Sequence, residues 1–212
     1  MNIYFPLIMM VIAFLASITI YMYPNREKYL RLFPFFLLLC AVSEILSDYL
    51  TLHNRSNLYI SNPLTIITCS YYCLTIYWII QSRKVKKIII GVLIIYPISS
   101  FLNILFIQGT HSFHTVTYSI GCLIIVALSI YYFLELFQLT RTLNLVRQPA
   151  FWICSGLLFY YSCTFPLYGV TNIIPQAVVN NLLIVFQLLD VLLYLSFTIA
   201  FLCRVRVRKS TL

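Results

Sequence analysis

The sequence predicts an all-α, polytopic membrane protein with seven transmembrane helices, its N-terminus outside and its C-terminus in the cytoplasm. Three observations point there. Of the 212 residues 62% are hydrophobic and only 9% charged, where soluble domains carry roughly a quarter charged residues. The apolar residues gather into seven runs, each long enough for a ~30 Å hydrocarbon core. The cations then fall on alternate connections between those runs, as the positive-inside rule requires.

The first run, residues 4 to 23, has neither a basic leader nor an Ala-x-Ala-like cleavage site, so it reads as a span and not as a signal peptide. The next cover 30 to 50, 59 to 81, 88 to 108, 116 to 139, 150 to 170 and 180 to 203, forming one transmembrane domain over 1 to 212. Polar punctuation separates them: Pro-Asn-Arg-Glu-Lys at 24 to 28, His-Asn-Arg-Ser-Asn at 53 to 57, Arg-Lys-Val-Lys-Lys at 83 to 87, and the segment from Arg141 to Pro149. Connections this short leave no room for a separate soluble domain.

Orientation follows from the cations. Arg26, Lys28, Arg31, Arg83, Lys84, Lys86, Lys87, Arg141, Arg147, Arg204, Arg206, Arg208 and Lys209 fall on one side, and only Arg55 on the other. That asymmetry puts the basic face, with Arg83, Lys84, Lys86 and Lys87 and the tail from Arg204 to Lys209, in the cytoplasm, and it needs an odd number of spans. The net charge of +9 is therefore a topology signal, and no nucleic-acid partner is expected, because the cations are dispersed among short loops.

The seven cysteines, Cys40, Cys69, Cys73, Cys122, Cys154, Cys163 and Cys203, lie within or at the edge of apolar runs and read as small packing residues. No internal repeat is evident. Spans two and six share an internal proline, Pro34 and Pro166, but their surroundings do not align. With five glycines in the chain, close crossings of the GxxxG type are not expected to organise the bundle.

Four of the five acidic residues fall inside predicted spans: Glu44 and Asp48 on span two, Glu135 near the inner end of span five, and Asp190 near the middle of span seven. A carboxylate at the bilayer centre costs about 2.5 to 3.5 kcal/mol and so tends to face a wet or protein-lined interior. Glu44 and Asp48, four apart, share a helix face. Span seven carries a stripe of Asn180, Gln187, Asp190, Tyr194 and Thr198 at helical spacing. Span three offers Thr65, Thr68, Cys69, Tyr72 and Thr75, and span four offers Asn103 near Pro97. Glu44, Asn103, Gln187, Asp190 and Tyr194 are thus expected to line a polar cavity in the outer half of the membrane, with Pro97 and Pro166 as kinks beside it. The plainer alternative is interhelical hydrogen bonding, about 0.6 kcal/mol per residue, which suffices for the Thr, Ser, Asn and Tyr side chains. Asp48 and Glu135, nearer the interfaces, are expected to be satisfied by water or by Arg55 and Arg141.

The three histidines, His53, His111 and His114, all fall in outer connections. His111 and His114, three apart, with Glu44 or Asp48, would compose a metal site, but polar loops collect histidine by default and no metal or other cofactor is expected. Serine-nucleophile, HExxH and phosphate-loop patterns are absent, as is the His and Asp pattern of seven-span membrane hydrolases. The run Tyr160-Tyr161-Ser162-Cys163-Thr164-Phe165-Pro166 matches the sixth helix of G-protein-coupled receptors only at Cys163 and Pro166, and span seven has no lysine to hold retinal.

Another likeness covers most of the chain. Glu44 in span two, the cations from Arg83 to Lys87 after span three, Pro149-Ala150-Phe151-Trp152-Ile153 opening span six, Gly156 to Tyr160 within it and Asn181 to Cys203 at the end are similar to small seven-span membrane proteins common in Bacteroidota. Some of those resemble the membrane-sensor regions of histidine kinases. The chain departs from that layout between Thr65 and Cys69, where an acidic residue is usual. The resemblance implies an inner-membrane location and a signalling context, and transfers no catalytic residue. The expectation is a non-enzymatic sensor or receptor-like module of the inner membrane, contacting lipid and a cytoplasmic or membrane signalling partner, its basic tail against anionic lipid or that partner. A proton- or solute-coupled transporter is the alternative, and a metal-dependent membrane hydrolase the third.

Overall fold

In the computed structural model, residues 5–22, 27–53, 55–109, 112–138, 145–171 and 176–209 are described, excepting the side chains of 170–181 and 204–209. All secondary structure among them is helical. Helix α1 spans Phe5–Ile18 and continues as a 3-10 turn over Thr19–Met22. It is followed by α2 (Lys28–Arg31), α3 (Phe33–Leu52), α4 (Leu58–Ile79), α5 (Arg83–Leu102), α6 (Thr115–Gln138), α7 (Pro149–Thr171) and α8 (Gln176–Lys209). A π-helical turn, Asn103–Ile107, extends α5, and a 3-10 turn, Leu145–Arg147, precedes α7.

Six stretches are long and apolar enough to cross a membrane: Phe5–Met22, Lys28–Leu52, Arg83–Ile107, Thr115–Gln138, Pro149–Gly169 and Leu182–Cys203. Helix α4 is not among them although it has 22 residues, about 33 Å at 1.5 Å per residue. Its environment explains its composition. Of its residues only Tyr59, Pro63 and Ile67 are exposed, so α4 faces protein nearly all round and has little need of an apolar surface. At the other extreme, Ile94, Ile95, Ile98 and Phe101 of α5 are each more than half exposed. An apolar face that broad suits contact with acyl chains.

The helices α1, α3, α4, α6, α7 and α8 pack in that cyclic order, each touching the next and α8 returning to α1, while α5 lies outside the ring against α4 and α6. Single glycines set two of the contacts. A Cβ on Gly121 of α6 would stand 2.7 Å from the Tyr96 hydroxyl of α5 and 2.9 Å from the Cys69 sulfur of α4. One on Gly156 of α7 would run into Ser196 of α8, whose Cβ would be 2.9 Å away. These are isolated glycines and not a GxxxG pair, and each marks one close approach between helices.

Three prolines singled out in the sequence have distinct places in the fold. Pro34 lies within the stretch Lys28–Leu52 but in the first turn of α3, where its missing N–H costs nothing. Pro97 and Pro166 do lie inside α5 and α7, yet neither borders the cavity described below. No disulfide joins the cysteines among the described residues, and five of them, Cys40, Cys69, Cys73, Cys122 and Cys154, are buried.

The half of the ring that holds the N-terminal end of α5 and the C-terminal end of α8 is filled by aromatic side chains. Phe33 packs edge-on against Tyr71, Phe197 and Phe201 at 5.3 to 5.4 Å between ring centroids, and Phe36 stacks on Tyr71 at 3.9 Å. Phe33, Phe197 and Phe201 are no more than 1% exposed. Offset and edge-to-face pairs of this kind add about 0.5 to 1.5 kcal/mol each beyond their burial. The opposite half is hollow.

Candidate functional site: a tyrosine-lined acidic cavity

The hollow half encloses a cavity of about 330 Å³. Helical periodicity builds each wall. On α3, Cys40, Ser43, Glu44, Ser47 and Asp48 recur at spacings of three, one, three and one, the signature of one helix face. Helix α4 contributes Ser61, Leu64, Thr65, Thr68 and Tyr72 in the same manner, and α8 contributes Gln187, Asp190, Leu193 and Tyr194. Pro6, Leu7 and Met10 of α1, Phe113 before α6, Tyr118 of α6 and Tyr160, Tyr161 and Tyr168 of α7 complete the lining.

Three of the five acidic residues of the chain line this space, and among the described residues no Lys, Arg or His does. Asp48 and Asp190 are half-buried, and Glu44 is exposed. Asp190 has the Tyr160 phenol as its hydrogen-bonding neighbour and feels the charge of Glu44, and Glu44 feels that of Asp48 one turn away. The floor is Tyr72, whose ring also meets Phe36, Tyr161 and Phe197 at 5.3 to 6.0 Å. Below it begins the aromatic filling, so the space ends at the middle of the bundle.

Of the residues that the sequence singled out, Glu44, Gln187, Asp190 and Tyr194 thus share one cavity, and Asn103 lies elsewhere. Buried at the end of α5, outside the ring, Asn103 donates through Nδ2 to Gln108 Oε1 at 2.6 Å and to Thr117 Oγ1 at 3.3 Å. Its carbonyl accepts from the Gln108 amide across the π-helical turn, and Gly109, with φ of 78°, supplies the left-handed residue that ends the helix. Thr198 and Thr75 are also buried, each with its hydroxyl on the carbonyl four residues earlier, and Asn180 lies outside the described side chains. The tyrosines of α6 and α7 escaped notice in the sequence. Their signal was the density of Tyr from 160 to 168, which in an apolar chain reads as packing.

The histidines do not converge. His53 is exposed, its Nδ1 on the Tyr49 carbonyl at 2.8 Å, and His111 lies outside the described residues. His114, fully buried between Asn62 Oδ1 and Thr65 Oγ1, each at 3.1 Å, has both nitrogens occupied. Asn62 donates its own amide N–H to the Ser112 carbonyl, so its oxygen faces the ring and the proton resides on Nδ1. Burial pushes the His114 pKa down from 6.5 to about 4, leaving it neutral at physiological pH. Among the described residues no group of three His, Cys, Asp or Glu side chains is placed to hold a metal ion.

At the opposite end of the bundle Arg83, Lys84 and Lys87 are exposed, and Lys86 Nζ lies 5.4 Å from the Tyr77 ring. Four cations at the start of α5 oppose its dipole. The compensation comes from Glu135 of α6, whose two carboxylate oxygens accept the backbone N–H groups of Gln81 and Ser82, both at 2.9 Å. Among the described residues Glu135 is thus satisfied by backbone amides. It also borders a second cavity of about 380 Å³ with Glu27 and Trp78. Helix α8 continues to Lys209, carrying Arg204, Arg206, Arg208 and Lys209, whose side chains lie outside the described set. Arg26 and Arg141 lie outside the described residues.

No family model, curated protein or solved structure matches this chain.

Proposed function

We propose that this integral membrane protein crosses the bilayer seven times, α4 included, with its N-terminus outside, and works as a receptor-like module that takes a small ligand into the tyrosine-lined cavity from the outer side. The observation that carries the proposal is the division of the bundle: an acidic, hydroxyl-rich hollow at one end and a filled aromatic core at the other. A pocket closed at its base suits binding better than passage. The basic face, Arg83 to Lys87 and Arg204 to Lys209, is the part available to a signalling partner or to anionic lipid, and the likeness to Bacteroidota sensor regions agrees with an inner-membrane setting. We assign no catalytic step and no cofactor.

Transport coupled to protons or solute is the second reading, favoured by one observation, the electrostatic contact between Glu44 and Asp190 across the cavity. Two experiments test the proposal. Reporter fusions at both chain ends should place them in different compartments; a common compartment defeats the seven-span topology. Proteoliposomes should show no uptake of cations or amines driven by a pH gradient; uptake abolished by Asp190→Asn establishes the transporter instead.

A further inference from the structure

We infer that the ligand of this cavity is a small protonated amine carrying an apolar body. The inference rests on the receptor-like reading above and adds the chemical class. Charge gives the first argument. Glu44, Asp48 and Asp190 all line the space, and among the described residues no basic side chain does, in a chain with 14 Lys and Arg against 5 Asp and Glu. Anionic ligands are repelled, and neutral ones leave the carboxylates, two of them half-buried, without a countercharge.

The second argument is independent of the acids. Tyr72 and Tyr161 are each 3% exposed and border the cavity. Neither hydroxyl has a hydrogen-bond partner among the described residues, and neither is sealed off within the packing as those of Tyr71, Tyr96 and Tyr132 are. A buried phenol without a partner is costly, and the space these two reach is the cavity. A ligand with N–H donors gives them a use as acceptors, and four tyrosine rings, Tyr72, Tyr118, Tyr161 and Tyr194, line the same space, where aromatic side chains favour a cation.

Shape and chemistry narrow the class. A hydrated metal ion requires converging ligands, which are not assembled among the described residues. A volume of about 330 Å³ is at the small end of ligand sites, roughly 300 to 1,000 Å³. Leu7, Met10, Leu64, Leu193 and Phe113 supply apolar walls for the body of the ligand. The polar side offers mostly acceptors, so an amine that retains N–H groups matches it better than a quaternary ammonium.

The test uses the full chain in lipid nanodiscs and three probes of one shape and different charge: phenethylamine, 2-phenylethanol and phenylacetate. Phenethylamine should raise the thermal midpoint saturably while the alcohol and the carboxylate do not. Asp190→Asn and Glu44→Gln should each weaken amine binding about tenfold to a hundredfold, as expected for loss of a charged hydrogen-bond partner. Tyr72→Phe and Tyr161→Phe, which keep charge and nearly all volume and so guard against misfolding, should weaken it about threefold to tenfold. Equal binding of the alcohol or the carboxylate overturns the amine inference and leaves the receptor-like reading in place. Absence of binding by all three overturns the inference too, and labelling of Ser47→Cys by a membrane-impermeant thiol reagent then decides the underlying reading: labelled above the parent chain, the cavity is open to the outside; unlabelled, that reading falls as well.

Discussion

Removing the Glu135 carboxylate should loosen the junction between α4 and α5. Its two oxygens hold the amides of Gln81 and Ser82 at 2.9 Å, at the start of a helix whose first turns carry Arg83, Lys84, Lys86 and Lys87. A hydrogen bond to a charged acceptor contributes about 1.5 to 3 kcal/mol. The Gln81 bond is exposed, so water substitutes for most of it, whereas the partly buried Ser82 bond counts nearly in full. An anion at a helix N-terminus adds about 0.3 to 1 kcal/mol. Glu135→Leu should therefore cost about 2 to 4 kcal/mol and Glu135→Gln, which keeps one acceptor oxygen, about half as much. Both tryptophans of the chain, Trp78 and Trp152, lie at this end of the bundle, so intrinsic fluorescence during denaturant titration in mixed micelles reports the change. The reasoning is refuted if Glu135→Gln unfolds with the wild type, or if Glu135→Leu is the more stable variant.

Two further outcomes follow from the packing and the buried histidine. Gly156→Ala pushes a methyl into Ser196 of α8, which should cost about 1 to 3 kcal/mol; pairing it with Ser196→Gly should recover most of the loss, and an unaltered single variant would show that α7 and α8 are not held that closely. His114 takes up a proton only near pH 4, against 6.5 when unfolded. Its contribution is full above pH 6.5, declines as the pH falls from 6.5 to about 4, and is level below, a change of up to about 3 kcal/mol. His114→Gln should flatten that part of the stability profile, and parallel profiles for the two proteins would contradict the assigned burial.

Hydropathy and charge made the helices themselves legible. The expected runs at 4 to 23, 88 to 108 and 116 to 139 differ from the helical stretches Phe5–Met22, Arg83–Ile107 and Thr115–Gln138 by a few residues, because a lipid-facing surface must be written in apolar side chains. Helix α4 shows the limit of that signal: where a helix is surrounded by protein, hydropathy marks it more weakly than the other six, and the periodic Thr and Tyr residues add to the signal. The gathering of Gln187, Asp190 and Tyr194 followed from spacing alone, since a stripe on one helix is a local property. What Asn103 and Glu135 do was not local. Asn103 shares depth with the cavity but belongs to a helix outside the ring, which only helix order reveals. Glu135 bonds backbone amides more than 50 residues away, and an amide N–H leaves no mark in a sequence.

Helix α8 joins the two ends of the molecule without an interruption. Its 34 residues contain neither proline nor glycine, so nothing in the covalent chain provides a hinge between Asp190 in the hollow and Lys209 past the basic face. Those positions are about 28 Å apart along the axis. A rod of that length acts as a lever: pivoting by about 5° at its upper part swings the far tip through ~2.5 Å, comparable to the helix shifts by which known switches operate. Arg204, Arg206, Arg208 and Lys209 belong to that end of the rod, so even a slight swing displaces a concentration of positive charge.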